Sequence, residues 1–153
     1  MIVSIGHDAK RVADYILWLS EKNPVTPMQL LKLVYMCHGW MLGLYGRPLV
    51  SDRIEAWPYG PVIPRLYQAN KHYGSGFIGE RPSAEPVGFL PDEVSVMHQV
   101  WRAYGNFTGL QLSALTHKPG TPWEITCRTR GGGSVISNDL IEQYYRQLLQ
   151  TRG

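Results

Sequence analysis

Cysteine is scarce in this sequence. Only Cys37 and Cys127 occur among 153 residues. Two cysteines that far apart build neither a disulfide framework nor a zinc site. Cys37 falls inside an apolar helical pattern, so a buried free thiol is expected, suited to a reducing cytoplasm. Charge is also sparse, at 18% of residues with a net charge of +3. The basic residues are scattered from Lys10 to Arg152, with local clustering only at Cys127 to Gly133 and at the chain end. A nucleic-acid binder concentrates Lys and Arg on one element, so nucleic acid is not the expected partner. No apolar run approaches the roughly 20 residues that cross a bilayer. The longest, Leu33 to Tyr45, is interrupted by His38. The opening MIVSIGHDAKR has no basic stretch followed by an apolar one, so neither a signal peptide nor a membrane partner is expected. Phosphate-binding, dinucleotide, HExxH and GxSxG motifs are all missing, and with them any expectation of a cofactor or metal.

What the chain does contain is hydrophobic residues, at 44%, and aromatic ones, at 11%, including five tryptophans. Its length suits a single domain over residues 1–153 that buries roughly two thirds of its unfolded surface. Asp8 can cap a first helix over about 9–22. Thr26 and Pro27 supply the cap and first position of a second, running to Tyr45 and closed by Gly46. This second helix is apolar around most of its circumference, so it belongs in the middle of a domain. Gly39 and Gly43 lie on its remaining stripe, where small residues permit a close approach. A short strand is expected near Arg53 to Trp57 and a second near Val87 to Phe89, with PYGP as a turn and Pro64 opening a third helix to about His72. Residues 74–92 read as a long Gly/Pro-rich loop. Further helices are expected over Pro91 to Tyr104, over Gly109 to His117 capped by Thr108, and after Thr121 and Pro122. TRGGGS reads as a hinge. The last helix follows Ser137 with Leu140, Ile141, Tyr144, Tyr145, Leu148 and Leu149 as its stripe. The fold class is mainly α: six to seven helices with a small β-hairpin or a two-to-three-stranded antiparallel element.

Candidate chemistry is thin. Cys37 and His38 are neighbours on a helix and point about 100° apart, so they cannot address one another. His38 is expected as a hydrogen-bonded core residue. Cys37 with His117 leaves a Cys/His-dependent hydrolase as an alternative, although burial would suppress the thiolate. His117, at a helix end, reads as a cap or as a tie to the Trp123 segment. NPVTPMQLLKLVYMCHG can be read as a helix-turn-helix, yet its second helix offers base edges only Gln29 and Lys32.

The densest feature is EAWPYGPVIPRLYQ, from Glu55 to Gln68. Its prolines and Gly60 fix the chain, and Trp57, Tyr59 and Tyr67 have the area and stiffness either of interface anchors or of plugs for the domain's own core beside the glycine stripe of the second helix. The stretch LLKLVYMCHGWMLGLYGRPLVSDRIEAWPYGPVIPRLYQ, followed by LSALTHKPGTPWE and ISNDLIEQYYRQLL, resembles the Panacea domain of SocA-like antitoxins and phage-associated GepA-type proteins. The resemblance implies a non-enzymatic antitoxin of a toxin–antitoxin system that binds a protein toxin directly, or an adaptor that delivers the toxin to a Clp-type protease. It also implies functional positions at Lys32 and Tyr35 on the second helix, at Trp57, Tyr59, Gly60 and Pro61 in the turn, and at Thr116, His117, Pro122 and Trp123. Together with Tyr67 from the aromatic reading, these form the expected partner-binding set. No appended DNA-binding domain is expected.

Overall fold

A helix leaves four amides without partners at its start, and here a short polar side chain accepts from one of them or a proline removes one. The computed structural model describes residues 5–152 (for Arg152, the backbone alone). In α1 (Ala9–Leu19) the Asp8 carboxylate accepts from the Lys10 amide at 2.9 Å. In α2 (Pro27–Tyr45) Thr26 and Gln29 form a reciprocal capping box, and Gly46 ends the helix at φ 69°, in the left-handed region that glycine adopts readily. Thr108 and Gln111 repeat the box for α5 (Gly109–His117), and Thr121 caps α6 (Pro122–Arg130). Proline opens α3 (Pro64–Asn70), which runs into a 3₁₀ turn at Lys71–Tyr73, and also α4 (Pro91–Tyr104). Ser137 Oγ accepts from the Leu140 amide at the start of α7 (Asn138–Arg152). Each of these starts falls where the sequence places it. α1 is shorter than the sequence suggests: the Ser20 hydroxyl donates to the Leu17 carbonyl at 2.8 Å, and the chain turns there toward Pro24.

α2 lies at the centre, against α1, α4, α5 and α7. Its residues from Leu30 to Gly43 are buried, Lys32 and His38 included. Gly39 and Gly43 face α7. A Cβ at Gly39 would overlap the Tyr145 ring, and one at Gly43 would stand 2.7 Å from Tyr145 Cβ, so the two glycines make the space this tyrosine fills. His38 is a satisfied core residue: its Nδ1 accepts from the Leu49 and Val50 amides at 3.2 Å each, which leaves Nε2–H to donate to Asn138 Oδ1 at 2.9 Å. Burial lowers its pKa to about 4, keeping the ring neutral.

The β element is a hairpin, β1 (Glu55–Trp57) with β2 (Gly60–Val62), in the register Ala56 to Pro61. The strand expected at Val87–Phe89 is not formed. The second strand begins instead inside the PYGP turn, at Gly60 and Pro61, which have low intrinsic strand preference, and ends at Val62; pairing with β1 and the helices around it hold the segment extended. The glycine-rich hinge comes back along the other side of β1: the Ala56 amide donates to the Ser134 carbonyl, and the Ile136 amide to the Ile54 carbonyl. The long loop is strapped to α1 and α4. Tyr15 donates to Glu85 at 2.6 Å, Arg11 donates to the Val87 carbonyl, and on the α4 side the Leu90 amide donates to the buried Glu93 carboxylate at 2.7 Å.

Candidate functional site

The hairpin turn is held by three helices at once. Trp123 Nε1 on α6 donates to the Trp57 carbonyl at 2.6 Å. Ser113 Oγ on α5 donates to the Tyr59 carbonyl at 2.6 Å. Lys32 Nζ on α2 donates to the Pro61 carbonyl at 2.9 Å. Alternate carbonyls along the turn therefore each receive a donor from a different element, the polar satisfaction that a buried backbone requires. Gly60 is at φ +117°, and a Cβ there would lie 2.8 Å from Lys32 Nζ. Glycine thus meets both a backbone and a space requirement at this position.

His117 supports the clamp indirectly. Its Nδ1 lies 3.1 Å from Ser113 Oγ, and its ring rests against Trp123 at 5.4 Å between centroids. The Ser113 proton is directed to the Tyr59 carbonyl, so the bond between the two side chains runs from His117 Nδ1–H to the serine oxygen. That polarity is the reverse of a base drawing a proton from a nucleophile. The arrangement holds a backbone carbonyl in place.

Outside the clamp, aromatic side chains face solvent. Tyr59 is 71% exposed and Tyr67 39%. Trp57 is half-buried, edge-on to Tyr67 at 5.1 Å between centroids, with its indole N–H given to Glu55 at 2.9 Å. These rings border a cleft of about 330 Å³ whose other walls include Met28, Leu31 and Lys32. Lys32 is only 1% exposed, and burial lowers its pKa to about 7. At neutral pH the ammonium form is therefore only partly populated.

The structure thus gathers Lys32, Trp57, Tyr59, Gly60, Pro61, Tyr67, Thr116, His117 and Trp123 around one turn. Thr116 is buried on α5, where its hydroxyl donates back to the Leu112 carbonyl, and Pro122 is buried at the start of α6. Tyr35 is elsewhere. It is 1% exposed in the core, 6.5 Å from the Tyr145 ring, and burial raises its hydroxyl pKa. Ser113 was not among the expected residues, although LSALTH places it four before His117, on the same helical face. Cys37 is fully buried and its thiol is pushed well up by desolvation, which removes the thiolate that the hydrolase alternative needs. The two polar residues of the helix-turn-helix reading are both used internally: Gln29 in its cap and on the Phe107 carbonyl, Lys32 on Pro61.

Among the described residues no helix is long and apolar enough to cross a membrane, and no group of His, Cys, Asp and Glu could hold a metal ion. Residues 30–124 match the family model described as antitoxin SocA-like, Panacea domain. The chain is also similar to the curated protein Antitoxin SocA of Caulobacter vibrioides, 31% identical over 155 aligned positions that cover 91% of this chain and 82% of that protein. No solved structure matches the chain.

Proposed function

The chain belongs to the SocA-like, Panacea-domain antitoxin family, and on that premise we propose that it neutralises a protein toxin by direct contact, with the clamped hairpin and its cleft as the centre of the interface. The supporting observation is the division of the turn into two faces. Its inner carbonyls are fixed by Trp123, Ser113 and Lys32, while the rings of Tyr59 and Tyr67 are left outside. A backbone held this way loses little conformational freedom on association. Tyrosine and tryptophan bury large areas with few rotatable bonds, which is why they dominate binding energy at interface centres. A stable complex buries on the order of 1,200–2,000 Å² in total, so the hairpin would be the core of a wider contact. Blocking of this kind makes and breaks no covalent bond, and both proteins would act in the cytoplasm.

The test is co-purification with the toxin encoded by the neighbouring reading frame, alongside rescue of growth. Tyr59→Ala should weaken the complex by about 2 kcal/mol or more, roughly thirtyfold. Because Tyr59 is 71% exposed, its melting temperature should stay within error of the parent. Rescue of growth without a physical complex overturns direct neutralisation. Delivery to a Clp-type protease would need a second surface engaged at the same time. Faster loss of toxin in a reconstituted degradation assay separates delivery from blockade.

A further inference from the structure

Two clefts adjoin at α3. Leu66 and Asn70, which border the hairpin cleft, also border a second one of about 400 Å³ between α1, α3 and the long loop. The floor of the second is apolar and buried, with Leu17, Leu66 and Ile78. Asp14 stands in its wall, half-buried. Among the described residues it is the only carboxylate short of full exposure that has neither a hydrogen bond nor an ion pair. Asp8 and Asp52, for example, share Arg65, and Asp92 has Arg47. The two cations nearest to Asp14 along α1 do not serve it. Arg11 is engaged by the Val87 carbonyl, by His7 and by the Phe89 ring. Lys10 is exposed, and a base one turn before an acid is the weaker order for such a pair. Burial raises the Asp14 pKa, and Lys10 and Arg11 oppose it only through space.

We propose that this second cleft receives an arginine side chain of the toxin, its guanidinium paired with the Asp14 carboxylate and its methylene stem laid along Leu17, Leu66 and Ile78. The inference rests on direct contact with the toxin, and it widens the interface from the hairpin across α3 toward the area a stable complex buries. Both Asp14 oxygens lack a protein donor, so the carboxylate can accept two parallel N–H bonds, which a guanidinium supplies and an ammonium does not. Asn70 gives its side-chain N–H to the Leu66 carbonyl at 3.2 Å, which leaves its oxygen to accept a further N–H. The stem of an arginine is apolar and its head weakly hydrated, matching a buried floor beneath a half-buried acid. The other ionisable groups of the cleft, Lys10, His72, Glu80 and Arg81, are exposed, so water and salt screen them more than Asp14. A neutral or acidic occupant would bury Asp14 further without a counter-charge.

The experiment replaces each arginine of the full-length toxin from the neighbouring reading frame, by Gln and separately by Lys. The variants are titrated calorimetrically against the parent, Asp14→Asn and Tyr59→Ala proteins. Asp14→Asn keeps the shape of the side chain and should lower affinity about tenfold or more. One Arg→Gln substitution in the toxin should match it, and Arg→Lys at that position should recover little. Both partners changed together should lose no more than either alone. The melting temperature of free Asp14→Asn should stay at or above that of the parent, because the change removes an unpaired, half-buried charge. If Asp14→Asn binds as the parent does while Tyr59→Ala is weakened, the arginine inference is overturned and the hairpin site stands. If Asp14→Asn is weakened and coupled to one toxin arginine while Tyr59→Ala is not weakened, the inference stands and the hairpin reading fails. If no toxin arginine is coupled to Asp14, or lysine serves equally well, the inference is overturned. If the parent forms no complex at all, it falls together with direct neutralisation.

Discussion

Two places in this molecule set glycine against tyrosine, and they behave in opposite ways. At the seam of α2 and α7, Gly39 and Gly43 open a space that the Tyr145 ring fills, and Tyr145 is buried. At the hairpin, Gly60 keeps room for an ammonium and for a left-handed backbone, and the tyrosine beside it stays outside, 71% exposed. The first pairing secures the core. The second fixes a surface without covering it. An aromatic residue near a glycine therefore says little by itself; what matters is whether the vacated space lies toward an apolar neighbour or toward a polar group that must be satisfied.

The comparison can be broken most severely at the seam. Tyr145→Ala removes a buried ring from a space shaped for it, and should lower unfolding free energy by about 4 kcal/mol in chemical denaturation. Toxin binding per folded molecule should be unchanged. Lys32→Met acts in the other direction. Folding lowers this lysine from 10.5 to about 7, so below pH 7 the folded state carries a buried charge that the unfolded state solvates. Stability of the parent should therefore rise as pH increases from about 7 to 10.5, where the unfolded chain binds more protons than the folded one, and level off above that range. At neutral pH the methionine variant should be more stable by about 3 kcal/mol, allowing for the lost bond to Pro61, and its pH slope in that window should be shallower. Trp123→Phe is the mildest change. It keeps the ring but withdraws the donor from the Trp57 carbonyl, and about 1 kcal/mol of stability should go with it. A larger effect on toxin affinity than on stability would show that the clamp matters mainly for holding the turn ready.

How much of this was legible in advance depends on the range of the forces involved. Thr26 with Gln29, and Thr108 with Gln111, announce helix starts because a cap acts across three residues, and those boundaries hold. The second strand was misplaced because Gly60 and Pro61 have little strand preference of their own; their extended conformation comes from β1 on one side and from Lys32 on α2. Ser113 gave a weak signal, since its acceptor, the Tyr59 carbonyl, lies 54 residues away. Tyr35 and Tyr59 are both prominent in sequence, yet one is sealed in the core and the other exposed.

By itself the sequence determined where the helices begin, that α2 is central, and that the chain follows the pattern of its antitoxin family. Capping, proline geometry and an apolar circumference act over a few residues or a single turn, so they survive without a partner. Tertiary structure alone decided which aromatic rings face outward, which carbonyl each clamping side chain reaches, and that Lys32 is buried without a balancing carboxylate. Those outcomes depend on desolvation and on donors from separate helices meeting at one turn, and neither exists until the chain has closed.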